Sequence, residues 1–263
     1  MDSELVTIAI LAKDKAYALP LYLDLIERQT YPASKIKLYI RTNNNNDDTE
    51  VILQNWLGRV GDRYHEVYFD SSDVVESVQD YKPHEWNQTT LRVLARLREE
   101  SIQWALARQT HYFVADCDNF IIPETVEALV NTRLPIVGPL LKVDPNHEYS
   151  NYHFLVDSDG YFKSSPEYFS VFYQKVKGCI EVAVIHCTYF IRADILQHIR
   201  YEDHSKRHEY VIFSHHLRKL GIPQYIDNRR LYGMLTFAST PEKIQEKRIS
   251  ERIEQLISMN KFT

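Results

Sequence analysis

Glycine, cysteine and positive charge are all scarce in this sequence, and each scarcity excludes something. Seven glycines and ten prolines among 263 residues, with no Ser/Gly-rich or repetitive stretch, leave no flexible linker and no solenoid period, so one domain is expected. Three cysteines, Cys117, Cys179 and Cys187, lack the paired spacing of a zinc site and allow at most one disulfide, so they are expected to pack rather than ligate. A formal net charge of −5 argues against a nucleic-acid binder that works by neutralising phosphates, although a local basic pocket stays open. No apolar run is long enough to span a bilayer, and the acidic start Met1-Asp2-Ser3-Glu4 does not have the form of a signal peptide. A cytoplasmic chain is therefore expected, unless it belongs to a longer secreted protein.

What is present is ample apolar material, 44% hydrophobic and 12% aromatic, enough for a large core. Leu5 to Leu11 reads as a strand covered on both faces, and Leu19, Leu23 and Ile26 form a helical stripe that stops before Tyr31-Pro32. Ile36 to Ile40 is a second strand. The polar loop Thr42 to Thr49 follows, then a helix with Val51, Ile52 and Trp56, for which Asp48 or Thr49 suits the N-cap. Val67 to Phe69 and His111 to Ala115 are further strands, separated by a helix from about Thr90 to Arg108 with Leu91, Leu94, Ile102 and Ala105 inward. Pro123-Glu124 fits a helix start, with the helix running to about Asn131. Ile136 to Leu141, Tyr161-Phe162 and Val182 to Ile191 read as strands of a mixed sheet. Glu242 to Met259 reads as a terminal helix packed on the body, with a homodimer contact as the alternative.

Strand and helix in alternation predict an α/β fold whose strand ends gather loops at one edge, where ligands bind. Two of those loops carry chemistry. Asp116-Cys117-Asp118 follows the strand His111 to Ala115, and two carboxylates at i and i+2 suit a hard divalent cation, Mn²⁺ or Mg²⁺, that a diphosphate would complete. By itself the spacing is weak, since Asp-x-Asp often only caps a turn. Thr42, Asn44 and Asn45 could hydrogen-bond a ribose or base, or form a solvated turn.

Taken together, these residues resemble the procollagen galactosyltransferase family, which transfers galactose from UDP-galactose to hydroxylysine in collagen. The resemblance runs in order along most of the chain. It includes Ile8 to Lys13, Leu19-Pro20, Glu27-Arg28, Tyr31-Pro32, the loop Thr42 to Thr49 (keeping Thr42, Asn45, Asp47 and Thr49), Glu85-Trp86, Arg96-Leu97-Arg98 and Asp116 to Phe120. Farther on it includes Tyr149-Ser150-Asn151, Gly160 to Lys163, Pro166, Tyr168, Gly178-Cys179, His186 and Thr188. It implies a GT-A (Rossmann-like) fold with a mixed, mainly parallel sheet in one domain. The first half (about 1–120) would bind the nucleotide sugar, the second (about 121–240) the acceptor, and 241–263 would close the chain. It also implies an inverting transfer from a UDP-sugar with Mn²⁺, with Mg²⁺ as the alternative, to hydroxylysine of a collagen-like partner.

The implied site has Asp116 and Asp118 on the metal. Ala12, Lys13, Thr42, Asn45, Trp86, Arg98 and Asp116 lie around the donor, and Tyr149, Asn151 and His186 lie toward the acceptor. Glu209 is the candidate general base, with His208 beside it where the family has an acid, so that a histidine base or a changed acceptor preference also stands. The plain readings are a first-turn carboxylate for Glu209, a buried core histidine for His186, and for Arg98 a salt bridge to a neighbouring carboxylate. Asn43 replaces a family Asp and Leu231 an expected His. A third protein ligand is thus unassigned, with His215, His216 and Asp227 as unranked substitutes. The family's retention tail is absent. A giant-virus member would fit a leaderless chain, and the endoplasmic-reticulum lumen would fit a piece of a longer one. A non-catalytic binding or adhesion protein on the same fold, or a glucosyltransferase with another acceptor, are the competing readings.

Overall fold

The structure is a computed structural model that describes residues 5–76, 87–144 and 147–260. Strand β1 (Val6–Ala12) is followed by helix α1 (Leu19–Glu27), β2 (Ile36–Thr42), α2 (Thr49–Val60), β3 (Glu66–Asp70), α3 (Gln88–Ala107) and β4 (His111–Ala115). β1 pairs in parallel with β2 and with β4, and β2 with β3. Beyond β4 come β5 (Asn119–Ile121), α4 (Thr125–Thr132) and β6 (Ile136–Pro139). The eight-stranded sheet runs in the order Cys179–Val182, Gln224–Asp227, β6, Thr188–Ile191, β4, β1, β2, β3. It is mixed, because Thr188–Ile191 lies antiparallel to both β4 and β6.

Period-two alternation of side chains explains why the sheet is covered on both faces. Ile8, Ile10, Phe113 and Ala115 join α1, α2 and the final helix in one core. Ala9, Tyr112 and Val114 join α3 and the helix Glu209–Lys219 in the other. α3 is buried on more than one stripe: Val93, Ala95, Leu97 and Arg98 are inside, while Leu94 is half-buried.

Several expectations need correction. Val182 to Ile191 is not one strand but parts of three: Val182 and Thr188–Ile191 belong to the large sheet, and Val184–Ile185 to a separate two-stranded one. A turn with Cys187 at φ 63° breaks it. Ile136 to Leu141 divides likewise: Leu141–Asp144 leaves β6 to join a four-stranded sheet with β5, Gly233–Leu235 and His147–Ser150. The terminal helix is two, Pro241–Glu246 and Ile249–Asn260, separated where Arg248 takes φ 50°. The second does pack on the body, through Ile249, Ile253 and Ile257. Pro123 lies outside α4, whose N-cap is Glu124. All three cysteines are free.

The four-stranded sheet fixes the segment that follows Asp118. Asn119 pairs with Leu235 and Ile121 with Gly233. A Cβ on Gly233 would lie 2.1 Å from the carbonyl oxygen of Phe120, a backbone clash that no rotamer relieves. Gly233→Ala is therefore expected to cost about 3 kcal/mol of stability, the upper end for overpacking, as measured by urea unfolding.

Candidate active site

The edge of the large sheet brings together Ala12, Thr42 and Ala115, the last residues of β1, β2 and β4, and Thr188, which pairs with Ala115. Immediately beyond Ala115, Cys117 turns into the first core at 1% exposure. The carboxylates on either side of it remain half-buried. Their backbone is held at three points: Asp116 N donates to Cys187 O (2.9 Å), Asn119 N to Asp116 O (2.8 Å) and Thr236 N to Asp118 O (3.2 Å). Asn119 also ties the motif to the facing strand through Thr188 Oγ1 at 2.8 Å.

The facing turn is tight. Thr188 N donates to His186 O at 2.7 Å across Cys187, whose φ of 63° is unusual for a side-chain-bearing residue. Strain of this kind costs roughly 1–3 kcal/mol and persists where neighbours hold it. Here the hold is the bond from Asp116.

Each aspartate meets a cation. Arg98 Nη2 donates to Asp116 Oδ1 at 2.7 Å, and Arg98 Nε lies 3.6 Å from Glu209 Oε1. Both Arg98 and Glu209 are buried, at 4% and 7% exposure. Burial and Asp116 raise the pKa of Glu209, with Arg98 acting against them. Asp118 Oδ2 accepts from Lys15 Nζ at 2.6 Å, with the Tyr17 hydroxyl 3.5 Å away. Burial works against the Lys15 charge, but Asp118 and Tyr17 outweigh it, so that pKa too is raised.

These contacts use one oxygen of each aspartate. The other oxygen of each is bound by none of the described residues. No group of three or more His, Cys, Asp or Glu that could hold a metal ion occurs among the described residues. Two hard carboxylate oxygens thus suit Mn²⁺ or Mg²⁺ only if a bound molecule supplies further oxygens, as a diphosphate does. Among the substitute ligands, Asp227 is fully buried and bound to Arg229 and to the Tyr232 hydroxyl (both 2.7 Å). Leu231 packs against the second core. His215 and His216 are half-buried on the helix Glu209–Lys219.

The other candidates divide by what their polar atoms already do. Thr42 is buried, and Asn45 is committed at both ends of its amide, donating to Thr42 Oγ1 (2.7 Å) and accepting from Asp14 N (3.0 Å). Thr49 does not cap α2 but accepts from Lys15 N at 2.7 Å, and Asp47 accepts from Ala16 N and Thr49 N. The polar loop is thus a brace for the turn after β1. Lys13 pairs with Asp14, and Ala12 is buried. Asn43 donates to Asn44. Trp86 lies outside the described residues.

Among the residues expected toward the acceptor, Asn151 is fully buried, and its amide accepts from Leu141 N and donates to Pro139 O (3.0 and 2.9 Å), so it secures strands rather than presenting a free group. His186 stands among the rings of Tyr210 (5.1 Å), His153 (5.2 Å) and Tyr149 (5.9 Å). Tyr149 also meets Phe237, one residue beyond the amide that holds Asp118. His208 lies 5.6 Å from Tyr210. Burial depresses His186 far below the usual range and takes His153 down to about 4, so this wall is uncharged at neutral pH. Behind Glu209 a cleft of about 370 Å³ is lined by Leu91, Ala95, Tyr201, Arg207 and Ile212. Lys15, Tyr17, Tyr210 and Phe237 escaped the sequence reading. Only the nearness of Lys15 to Lys13 in the β1 loop could have drawn notice to it.

Against this geometry, the model of the glycosyltransferase family 25 N-terminal domain matches residues 3–260. Human procollagen galactosyltransferase 2 is 29% identical over 98% of this chain and 42% of its own length. The mouse inactive glycosyltransferase 25 family member 3 is 27% identical over 92% of this chain and 42% of its own. The chain thus spans 42% of the length of each of these two relatives. Among solved structures, S. aureus TarS 1–349 in complex with UDP has a TM-score of 0.55 at 13% identity, covering 92% of this chain and 63% of that one. The mannosyltransferase PcManGT of Pyrobaculum calidifontis, in complex with GDP-Man and Mn²⁺, has a TM-score of 0.50 at 12% identity, covering 89% and 57%. The fold is that of the GT-A glycosyltransferases. No helix among the described residues is long and apolar enough to cross a membrane.

Two measurements test the ion network. Arg98→Met leaves two carboxylates without their buried partner and is expected to cost about 3 kcal/mol or more, read by urea unfolding at pH 7. Glu209 titrates in the folded protein above its ordinary value of 4.5. The folded state therefore holds that proton more tightly, and its contribution is complete below about pH 4.5 and lost as pH rises through the folded value. Glu209→Gln, which imitates the protonated form, should be more stable than the parent at pH 7 and equal to it at pH 4. A variant less stable at pH 7 alone would show that the ionised pair with Arg98 stabilises the fold.

Proposed function

The chain belongs to glycosyltransferase family 25, and from that membership we propose that it transfers a hexose, galactose first among them, from a UDP-sugar to hydroxylysine of a collagen-like acceptor. The observation that carries this reading is Arg98, which links Asp116 of the motif to Glu209 through one buried guanidinium. Donor and acceptor chemistry thereby meet at a single point. Asp116 and Asp118 would hold Mn²⁺ together with the diphosphate. When bound, the ion supplies a positive charge that eases departure of the nucleoside diphosphate.

Glu209 is the base of this proposal. Its carboxylate is removed from water at the N-terminus of a helix, where its raised pKa makes it a better proton acceptor than a free carboxylate. As the acceptor hydroxyl attacks the anomeric carbon, the proton passes to Glu209, and Arg98 holds the carboxylate in place. The uncharged wall of Tyr149, His186 and Tyr210 suits the apolar face of a sugar or the stem of the acceptor side chain. The donor half (about 1–120) and acceptor half (about 121–240) meet along this line. A homodimer belongs to the same proposal, and residence in the endoplasmic-reticulum lumen belongs to it only for a longer protein.

A second reading, a binding protein without activity, is favoured by the Lys15–Asp118 pair, which neutralises a motif carboxylate, and by the mouse relative named as inactive. One assay separates the two: release of UDP from a panel of UDP-sugars with Mn²⁺, with and without a hydroxylysine peptide. Metal-dependent, peptide-stimulated release is expected. Asp118→Asn should abolish it, and Glu209→Gln should lower kcat by roughly 10²–10⁴-fold while leaving UDP binding intact. Binding of a collagen-like peptide without release from any donor would establish the binding protein instead.

A further inference from the structure

The two motif carboxylates are neutralised by cations of opposite character. Arg98 is buried, planar and engaged by two carboxylates, so it cannot leave without unpairing both. Lys15 carries a compact charge on a flexible stem, reaches Asp118 from a loop and retains 22% side-chain exposure. Its backbone is pinned, through Lys15 N to Thr49 Oγ1, but among the described residues its ammonium is held only by Asp118 and the Tyr17 hydroxyl (3.0 Å). One cation is fixed and the other is free to be released.

We propose that Lys15 is a built-in competitor for the divalent cation at Asp118, displaced onto the diphosphate when metal and nucleotide bind together. This rests on the reading of Asp116 and Asp118 as metal ligands and adds to it a residue that sets metal affinity. A divalent ion on the remaining oxygen of Asp118 would stand a few ångströms from an ammonium in a half-buried site, where like charges repel strongly. The ammonium must therefore withdraw. A diphosphate brings the negative charge that gives it somewhere to go. Metal alone then binds weakly, nucleotide alone keeps the ammonium on its phosphates or on Asp118, and the pair binds with positive coupling that is reciprocal by linkage. The brace from Thr49 and Asp47 keeps the loop in place while the side chain moves.

The test is Mn²⁺ binding, followed by the electron paramagnetic resonance signal of free Mn²⁺, with and without UDP. For Lys15→Met we expect affinity for Mn²⁺ alone to rise roughly tenfold, and the factor by which UDP raises that affinity to shrink by a similar amount, within the usual range of such couplings. Lys15→Arg, which keeps the charge, should retain weak binding of the metal alone and most of the coupling. A Lys15→Met protein that melts like the parent but binds Mn²⁺ alone no more tightly overturns the inference, as does a Lys15→Arg protein that behaves like Lys15→Met. If the parent binds no Mn²⁺ even with UDP, the metal reading fails and this inference with it. Binding by the parent that is lost in Asp118→Asn upholds the metal reading whatever Lys15 does.

Discussion

The site is organised around one buried guanidinium. Arg98 comes from the middle of α3 and meets a carboxylate from just beyond the end of β4 and another from the start of the helix Glu209–Lys219. A charge this deep is tolerated only when paired, and the hydrogen-bonded pair is with Asp116 at 2.7 Å, while Glu209 stands farther off at 3.6 Å. The requirement locks three elements into one relative placement. It also explains why α3 is buried on more than one side, since the helix must pass between the sheet and the helix Glu209–Lys219 to deliver Arg98.

A second constraint is the turn at Cys187. A left-handed residue with a side chain is costly, yet here it lets the chain leave the short pair Val184–Ile185 and enter Thr188–Ile191 while aiming a carbonyl at the Asp116 amide. The four-stranded sheet acts from the other side, where Thr236 holds the carbonyl of Asp118. The motif is therefore clamped on its backbone, and its side chains are free to answer to charge. Rigid backbone with adjustable side chains is what a site must offer if it is to hold a multivalent ligand without reorganising its frame.

Much of the first half was legible because its signals are local. β1, β2, β4 and α1 announce themselves as apolar runs and stripes, and their strand ends place Asp116 and Thr42 at one edge without further information. The second half was less so. Val182 to Ile191 is mostly apolar, and no glycine or proline marks a break, since the turn is stabilised by a non-local bond from Asp116 N to Cys187 O. Asn45 reads as a ligand contact because amides suit ligands, and Asn151 because it belongs to the family resemblance, but both turn out to brace the backbone. Polar residue type alone does not distinguish a group that faces a ligand from one that holds a loop. Lys15 illustrates the converse: a lysine in a loop reads as solvated until the fold brings Asp118 to it.

The distribution of charge across the crevice ties these points together. On one side stand Arg98, Asp116, Glu209, Lys15 and Asp118, a nearly balanced set in a partly dry setting. On the other, His153 and His186 are kept neutral by burial among Tyr149, Tyr210 and Phe162. Had those imidazoles been protonated, they would have competed with Arg98 for Asp116 and Glu209, and Glu209 would have been held ionised but less basic. Their neutrality keeps the guanidinium as the dominant cation facing Glu209, so that burial can raise the carboxyl pKa while Arg98 still fixes its position. The aromatic wall thus has an electrostatic consequence as well as an apolar surface: it leaves the charged side of the crevice to set its own balance.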